Sequence, residues 1–248
     1  MVDCVHGIIC MYNRKTRDIV LWNPATRQCR LLPKSSNGNP KIRHYHHDFV
    51  GLGFDVETKD YKLPLLSTDS WRLLDSDFRT HCCPTLGQSL NGIYFHLGVD
   101  YTAEPDKCVI LSFDLSKDKY QRVLQIPDGN SPVLQSIGDK LACITTPYEV
   151  SGFHKVWMLN DYDTGKEMWT ELYRVDATSP KIQTGYSILA IPWNGKLGLF
   201  IGGTWVLYNF ITDEFEDLGF GEGFCCPTAA IYKESLVSVD AATKAISS

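Results

Sequence analysis

The residues best suited to chemistry stand in RHYHHD, residues 43 to 48, where His44, His46 and His47 accompany Asp48. Imidazoles titrate near neutrality and ligate metals, so three of them beside a carboxylate could move protons or hold a cation. In an extended backbone His44 and His46 share one face and His47 takes the other. The preceding KSSNGNP is turn-rich, which reads the segment as a polar loop between strands rather than a reaction centre. As such a loop, Arg43, His44, Tyr45, His46 and His47 form the candidate partner-contact site, because Arg and aromatic residues concentrate in interface hot spots.

Other reactive residues are better explained by architecture. SWRLLDSD and TDEFEDLGF supply carboxylates, but acids in turns act mostly as solvated caps, and the paired geometry of a glycosidase has no support. GGTW and GLGF lack the spacing and following helix of a phosphate loop. CCPT occurs at Cys82–Thr85 and at Cys225–Thr228, without the two-residue gap that lets paired thiolates grip one zinc ion. The nine cysteines are odd in number and follow no regular framework, which fits reduced thiols. No catalytic, cofactor-binding or metal-binding residue is assigned, and no cofactor is expected.

At 248 residues with 44% hydrophobic side chains, the chain can fill a packed core. Its net charge of -5, with both signs interspersed, argues against a nucleic-acid binder and suits a basic partner. The longest apolar runs are broken by glycines and fall short of the ~20 residues needed to span a bilayer. The opening MVDCVHGIICMY lacks the basic segment and long apolar stretch of a secretory signal, so a cytoplasmic location is expected.

The elements that must position any site repeat. IVLWNPATRQCRLLP, LSFDLSKDKYQRVLQIP and WVLYNFITDEFEDLGF each place an apolar or Cys residue six positions after an Asn or Asp: Asn23 to Cys29, Asp114 to Tyr120, Asn209 to Phe215. A looser copy, with two residues inserted, runs from Asp161 to Trp169, and part of another lies in LSTDSW. Each reads as a β-hairpin whose Asn or Asp side chain bonds its own turn backbone. Trp22 and Cys29 are expected to pack, and the tryptophans in general to fill the space between sheets. Asn91-Gly92, Gly138-Asp139 and Asn194-Gly195 mark further turns, and no window carries a helical apolar face. Hairpins recurring through an all-β chain point to a β-propeller, and 248 residues at ~42 per blade give about six short blades. A β-sandwich is the alternative, but it predicts no repeated hairpin.

VHGIICMYN, IVLWNPATRQCRLLP and VGLGFDVETKDYKL resemble the start of the plant F-box-associated domain, and LNGIYFHLG, ILSFDLSKDKYQRVLQIP, VWMLNDY, MWTELYRV, WNGKLGLFI and LYNFITDEFEDLGF follow in the family's order. The closing YKESLVSV is most similar to the S-locus F-box subgroup. The resemblance implies an F-box-associated β-propeller over residues 1–240 with a tail at 241–248. It also implies the substrate-recognition domain of an SCF-type E3 ubiquitin ligase F-box protein, not an enzyme. For that subgroup it implies a basic S-RNase partner in self-incompatibility, and neither nucleic acid nor membrane.

Two departures qualify the expectation. The chain opens three residues before Cys4, without the N-terminal F-box, so docking on the ligase adaptor would need an F-box upstream. The chain would then be a domain alone, a truncated non-ligase relative or a divergent one. DYKLPLLSTDSW also reaches its turn early, which leaves a blade short after Lys62 and puts Pro64 in an edge or connection. Another protein or a glycoprotein remains an alternative target, and a propeller enzyme with a site in the central channel is the other class of reading. Where propellers close by joining their chain ends, YKESLVSV is the natural partner of the blade that holds GIICMYN.

Overall fold

The computed structural model describes residues 3–13, 15–16, 18–32, 49–63, 65–66, 78–80, 87–100, 103, 105–147, 152–162, 168–176, 190–193, 196–201, 204–209, 211–212, 214–219 and 232–240, whose regular structure is almost entirely β-strand. β1 (Asp3–Val5), β2 (Ile8–Asn13), β3 (Asp18–Asn23) and β4 (Gln28–Leu31) form one antiparallel meander, in that order. Its first turn is the dipeptide His6-Gly7, both with positive φ, which is the conformation a two-residue hairpin of matching twist requires. On β2 and β3 alternate residues turn inward: Ile8, Cys10 and Leu21 are buried with Val5, Leu32, Leu52 and Tyr61.

The next stretch is built from short pieces. β5 (Phe49–Val50) pairs with β8 (Leu65–Leu66), and β6 (Gly53–Asp55) pairs with β7 (Asp60–Lys62). β9 (Phe78–Thr80) and β10 (Gln88–Leu90) share one edge of β11 (Ile93–Asp100), which continues to β12 (Lys107–Asp114) and β13 (Lys119–Gln125). Two further meanders follow, β14 (Asn130–Ile137) to β15 (Lys140–Thr146), β16 (Phe153–Asn160) and β17 (Met168–Asp176), then β18 (Ala190–Trp193) to β19 (Lys196–Ile201), β20 (Thr204–Asn209) and β21 (Glu214–Asp217). Four full blades of propeller type are thus described, with the segment from 49 to 66 contributing two-stranded fragments. The chain divides into two compact units, residues 1–123 with 230–248, and residues 124–229. The first unit also buries Tyr94 between Gly51 and Gly87, where an added Cβ would come within 2.2 and 2.1 Å of the ring or its hydroxyl. The second is centred on Ile144, Val156, Val175, Leu197, Leu199 and Tyr208.

The repeated turn has the geometry its spacing suggests. Asn23 Oδ1 accepts the Ala25 N–H at 3.0 Å, Asp114 Oδ1 accepts Ser116 and Lys117 at 2.9 Å, and Asn209 Oδ1 accepts Ile211 at 3.0 Å. A fourth copy is Asp55 to Tyr61, where Asp55 Oδ1 accepts Glu57 at 2.9 Å and Thr58 at 3.3 Å. Arg27, Lys59 and Asp118, each four residues after the Asn or Asp, adopt the left-handed conformation that closes the loop. The looser copy is anchored one residue earlier than its sequence suggests. Asn160 faces Met168 across the ladder and Leu159 faces Trp169, so Asn160 holds the motif position and the loop carries three extra residues.

Two expectations about the first blade are corrected. Trp22 is 38% exposed and Cys29 is exposed, because the alternation that buries Leu21 and Asn23 turns both to the outer face of β3 and β4. The C-terminal residues do return to this blade, yet residues 232–238 join no sheet. They form an extended strap held by side chains. The buried Asn23 amide donates to Ser235 O at 2.9 Å and Val237 O at 2.8 Å, Gln28 Oε1 accepts the Val239 N–H at 3.0 Å, and Arg30 pairs with Asp240 at 2.6 Å. Val239 completes the core beside Ile8, and Gly7 makes room, since a Cβ there would lie 2.6 Å from that of Ser235.

Asn23→Asp keeps an acceptor for the turn but sets a carboxylate against two carbonyls. Urea unfolding should show a loss of about 2–3 kcal/mol. Deleting residues 232–240 should cost a comparable or larger amount, and the two changes together should be less than additive; full additivity would show that Asn23 acts elsewhere.

Candidate functional site

The candidate contact residues Arg43, His44, Tyr45, His46 and His47 lie outside the described residues, as do Pro64, Trp71 and both CCPT segments. The chain leaves the first blade at a known place. In an antiparallel meander the first and third turns share one end and the middle turn the other. Leu32, whose N–H donates to Ile19 O at 2.9 Å, therefore sits at the end opposite the Asn23 turn.

Among the described residues the buried acids Asp55 and Asp114 are held by close donors. Asp55 is wholly buried, with Lys62 Nζ 3.0 Å from Oδ2 and the Ser116 hydroxyl donating to Oδ1. Burial alone would raise its pKa, but hydrogen bonds from Ser116, Lys62, Thr58 and Glu57 outweigh it and hold the carboxyl well below the usual range. Lys62 also donates to Leu115 O. Asp114 behaves alike: burial pushes its pKa up, and bonds from Lys117 and Ser116 bring it down overall. Ser116 thus links two carboxylates, its N–H on Asp114 and its hydroxyl on Asp55. Both stay ionised, so neither can serve as a general acid at neutral pH.

His96 is buried, with Nδ1 3.2 Å from Leu97 O and Nε2 3.0 Å from the Tyr120 hydroxyl. A carbonyl only accepts, so Nδ1 carries the proton and Nε2 accepts from Tyr120. Burial lowers the His96 pKa to about 4 and raises that of Tyr120. His6 and His154 are lowered as well, both chiefly by burial. Tyr61 is pushed up to about 12 by burial and by the nearby Cys4. The described carboxylates of TDEFEDLGF are surface groups: Glu214 accepts from the Thr212 hydroxyl at 2.9 Å, Glu216 pairs with Lys196 at 2.9 Å, and Asp217 accepts the Gly219 N–H at 2.8 Å. No three His, Cys, Asp or Glu among the described residues are grouped to hold a metal ion. Asp55, Asp114 and Ser116 orient their turns and join neighbouring hairpins. Sequence reasoning passed over Asp55, Lys62 and Ser116, although the six-position spacing from Asp55 to Tyr61 was there to find.

With four blades and their shared turn in view, comparison with known proteins is decisive. A family model described as the F-box associated beta propeller domain matches residues 1–239. The chain belongs to this family. Relatives in Arabidopsis thaliana include F-box protein At2g21930, 26% identical over 209 residues that cover 71% of this chain and 49% of the relative. F-box protein CPR1 is 26% identical over 234 residues, covering 74% and 53%, and putative F-box protein At1g46840 is 28% identical over 187 residues, covering 67% and 38%. The chain spans about half the length of the curated relatives it matches. Proteins with an F-box-associated domain are generally substrate adaptors rather than catalysts.

The His96 environment fixes the sign of a pH dependence. The unfolded chain binds this proton below about pH 6.5 and the folded chain only below about 4, so stability is full above 6.5 and falls as pH drops between the two values. His96→Phe should make unfolding free energy against pH less steep there by about 1.4 kcal/mol per unit, leaving the smaller contributions of His6 and His154. An unchanged slope would show that His96 is protonated in the folded chain.

Proposed function

We propose that this chain is the substrate-recognition part of an SCF-type ubiquitin ligase F-box protein and binds the protein to be ubiquitinated. The observation that carries the reading is the family match along residues 1–239, joined by relatives that are F-box proteins, of whose length this chain covers about half. In this reading the adaptor-binding F-box is supplied by sequence outside this chain. Residues 1–240 are the binding domain and 241–248 a tail, which agrees with a match that ends at 239 and with the burial of Val239. The propeller has about six short blades in this reading, and the protein works in the cytoplasm.

The target is a basic protein, and the narrower form of the proposal is an S-RNase recognised in self-incompatibility. Support for it comes from the S-locus-like YKESLVSV and from a net charge of -5, which would steer a cationic partner. Arg43, His44, Tyr45, His46 and His47 are the proposed contact loop.

Immobilised protein should capture a basic secreted ribonuclease in preference to an unrelated protein of equal positive charge. Tyr45→Ala or Arg43→Ala should weaken capture about tenfold, as expected for one hot-spot side chain. Equal capture of both basic proteins would defeat the S-RNase proposal.

A further inference from the structure

The strap that crosses the first blade has a counterpart site on the blade β18–β21. Ladder registers make Asn23 and Asn209 the same position of their sheets, and likewise Gln28 and Glu214, Arg30 and Glu216, Ile8 and Lys196. The local bonding matches. Asn209 Oδ1 accepts its turn N–H as Asn23 Oδ1 does, and Thr212 donates to Glu214 as Thr26 donates to Gln28. In the first blade the Asn23 amide is engaged by two strap carbonyls, whereas among the described residues the Asn209 amide donates to none. It faces a shallow groove of about 330 Å³ lined by Lys196, Leu207, Phe215 and Glu216 among others.

We propose that this groove is a second extended-peptide site, which takes a segment of a partner protein bearing Lys or Arg. The strap supplies the binding rule. Carbonyls two residues apart accept from the Asn amide, the N–H two residues further on meets the side chain at the Gln28 position, and the next side chain pairs with the residue at the Arg30 position. At the second site that last position is Glu216, and the Gln28 position is Glu214, so the pairing is reversed in charge. The strap sets Asp240 opposite Arg30; the foreign segment must set a cation opposite Glu216. Lys196, which now pairs with Glu216, would be released on binding. The inference rests on the protein-binding reading above and gives it a place and a sequence preference.

Two fluorescein-labelled peptides test it on the full chain by anisotropy: residues 232–240 as they stand, and the same peptide with Asp240→Lys. The Lys peptide should bind saturably and better than the native one. Asn209→Asp, which keeps the turn acceptor that Asp55 and Asp114 show to be sufficient, should weaken it about tenfold, while Asn23→Asp should not. Glu216→Arg should reverse the preference toward the native peptide. Absence of saturable binding, or binding sensitive to Asn23 and not to Asn209, overturns the groove. If a basic ribonuclease is captured equally by the parent and by Asn209→Asp, the groove is overturned while protein recognition stands.

Discussion

The attachment of residues 232–240 to the first blade depends on one buried amide. Asn23 lies at the end of β3, and its two functional atoms face opposite demands: the oxygen holds the turn that starts β4, and the nitrogen holds carbonyls more than 210 positions later. Bringing such distant residues together costs loop-closure entropy that grows only slowly with length, so a few well-placed hydrogen bonds and one buried valine suffice. Because the strap contributes no strand, its affinity for the blade lies in side chains that can differ from blade to blade. That is what permits a copy of the site elsewhere.

The same turn is written with different head groups, and the choice follows what each must satisfy. Where the neighbour offers carbonyls, as Ser235 and Val237 do, the residue is Asn, which has donors. Where the neighbour offers an ammonium and a hydroxyl, as Lys62 and Ser116 do, the residue is Asp, which has only acceptors. Swapping the two would leave the turn intact and orphan a buried group, which costs more than the turn bond itself.

The hairpins were legible because they are local. A six-residue spacing, an Asx side chain and a left-handed closing residue act within one turn, and three of the four regular copies stand out in the sequence without any knowledge of neighbours. Asp55–Tyr61 was hidden by its short flanking strands, and the insertion after Asn160 was misplaced by one residue because Asn160 and Asp161 are both good turn residues; only the ladder distinguishes them. Trp22 and Cys29 were read as packed because apolar residues usually are, yet their register puts them on the outer face, which alternation alone cannot orient without knowing which side is core. The strap's mode of attachment is non-local, and no pattern within YKESLVSV announces that its carbonyls, rather than a ladder, make the contact. The candidate site was legible mainly as family resemblance, since a binding surface carries no fixed spacing of the kind that chemistry imposes.

Among the described residues, two sets of acids have separate consequences for recognition. Asp55 and Asp114 are ionised but neutralised by close donors, so their fields are spent within the fold. Asp128, Glu214, Glu216 and Asp240 are exposed or paired across surface distances, where water and salt leave a net potential that an approaching cation still feels. A basic partner is therefore steered by surface acids of this second kind. Attraction of this kind raises the rate of encounter, while discrimination between one basic protein and another must come from places where a backbone and a charge are read together, as Asn23 and Arg30 read the strap.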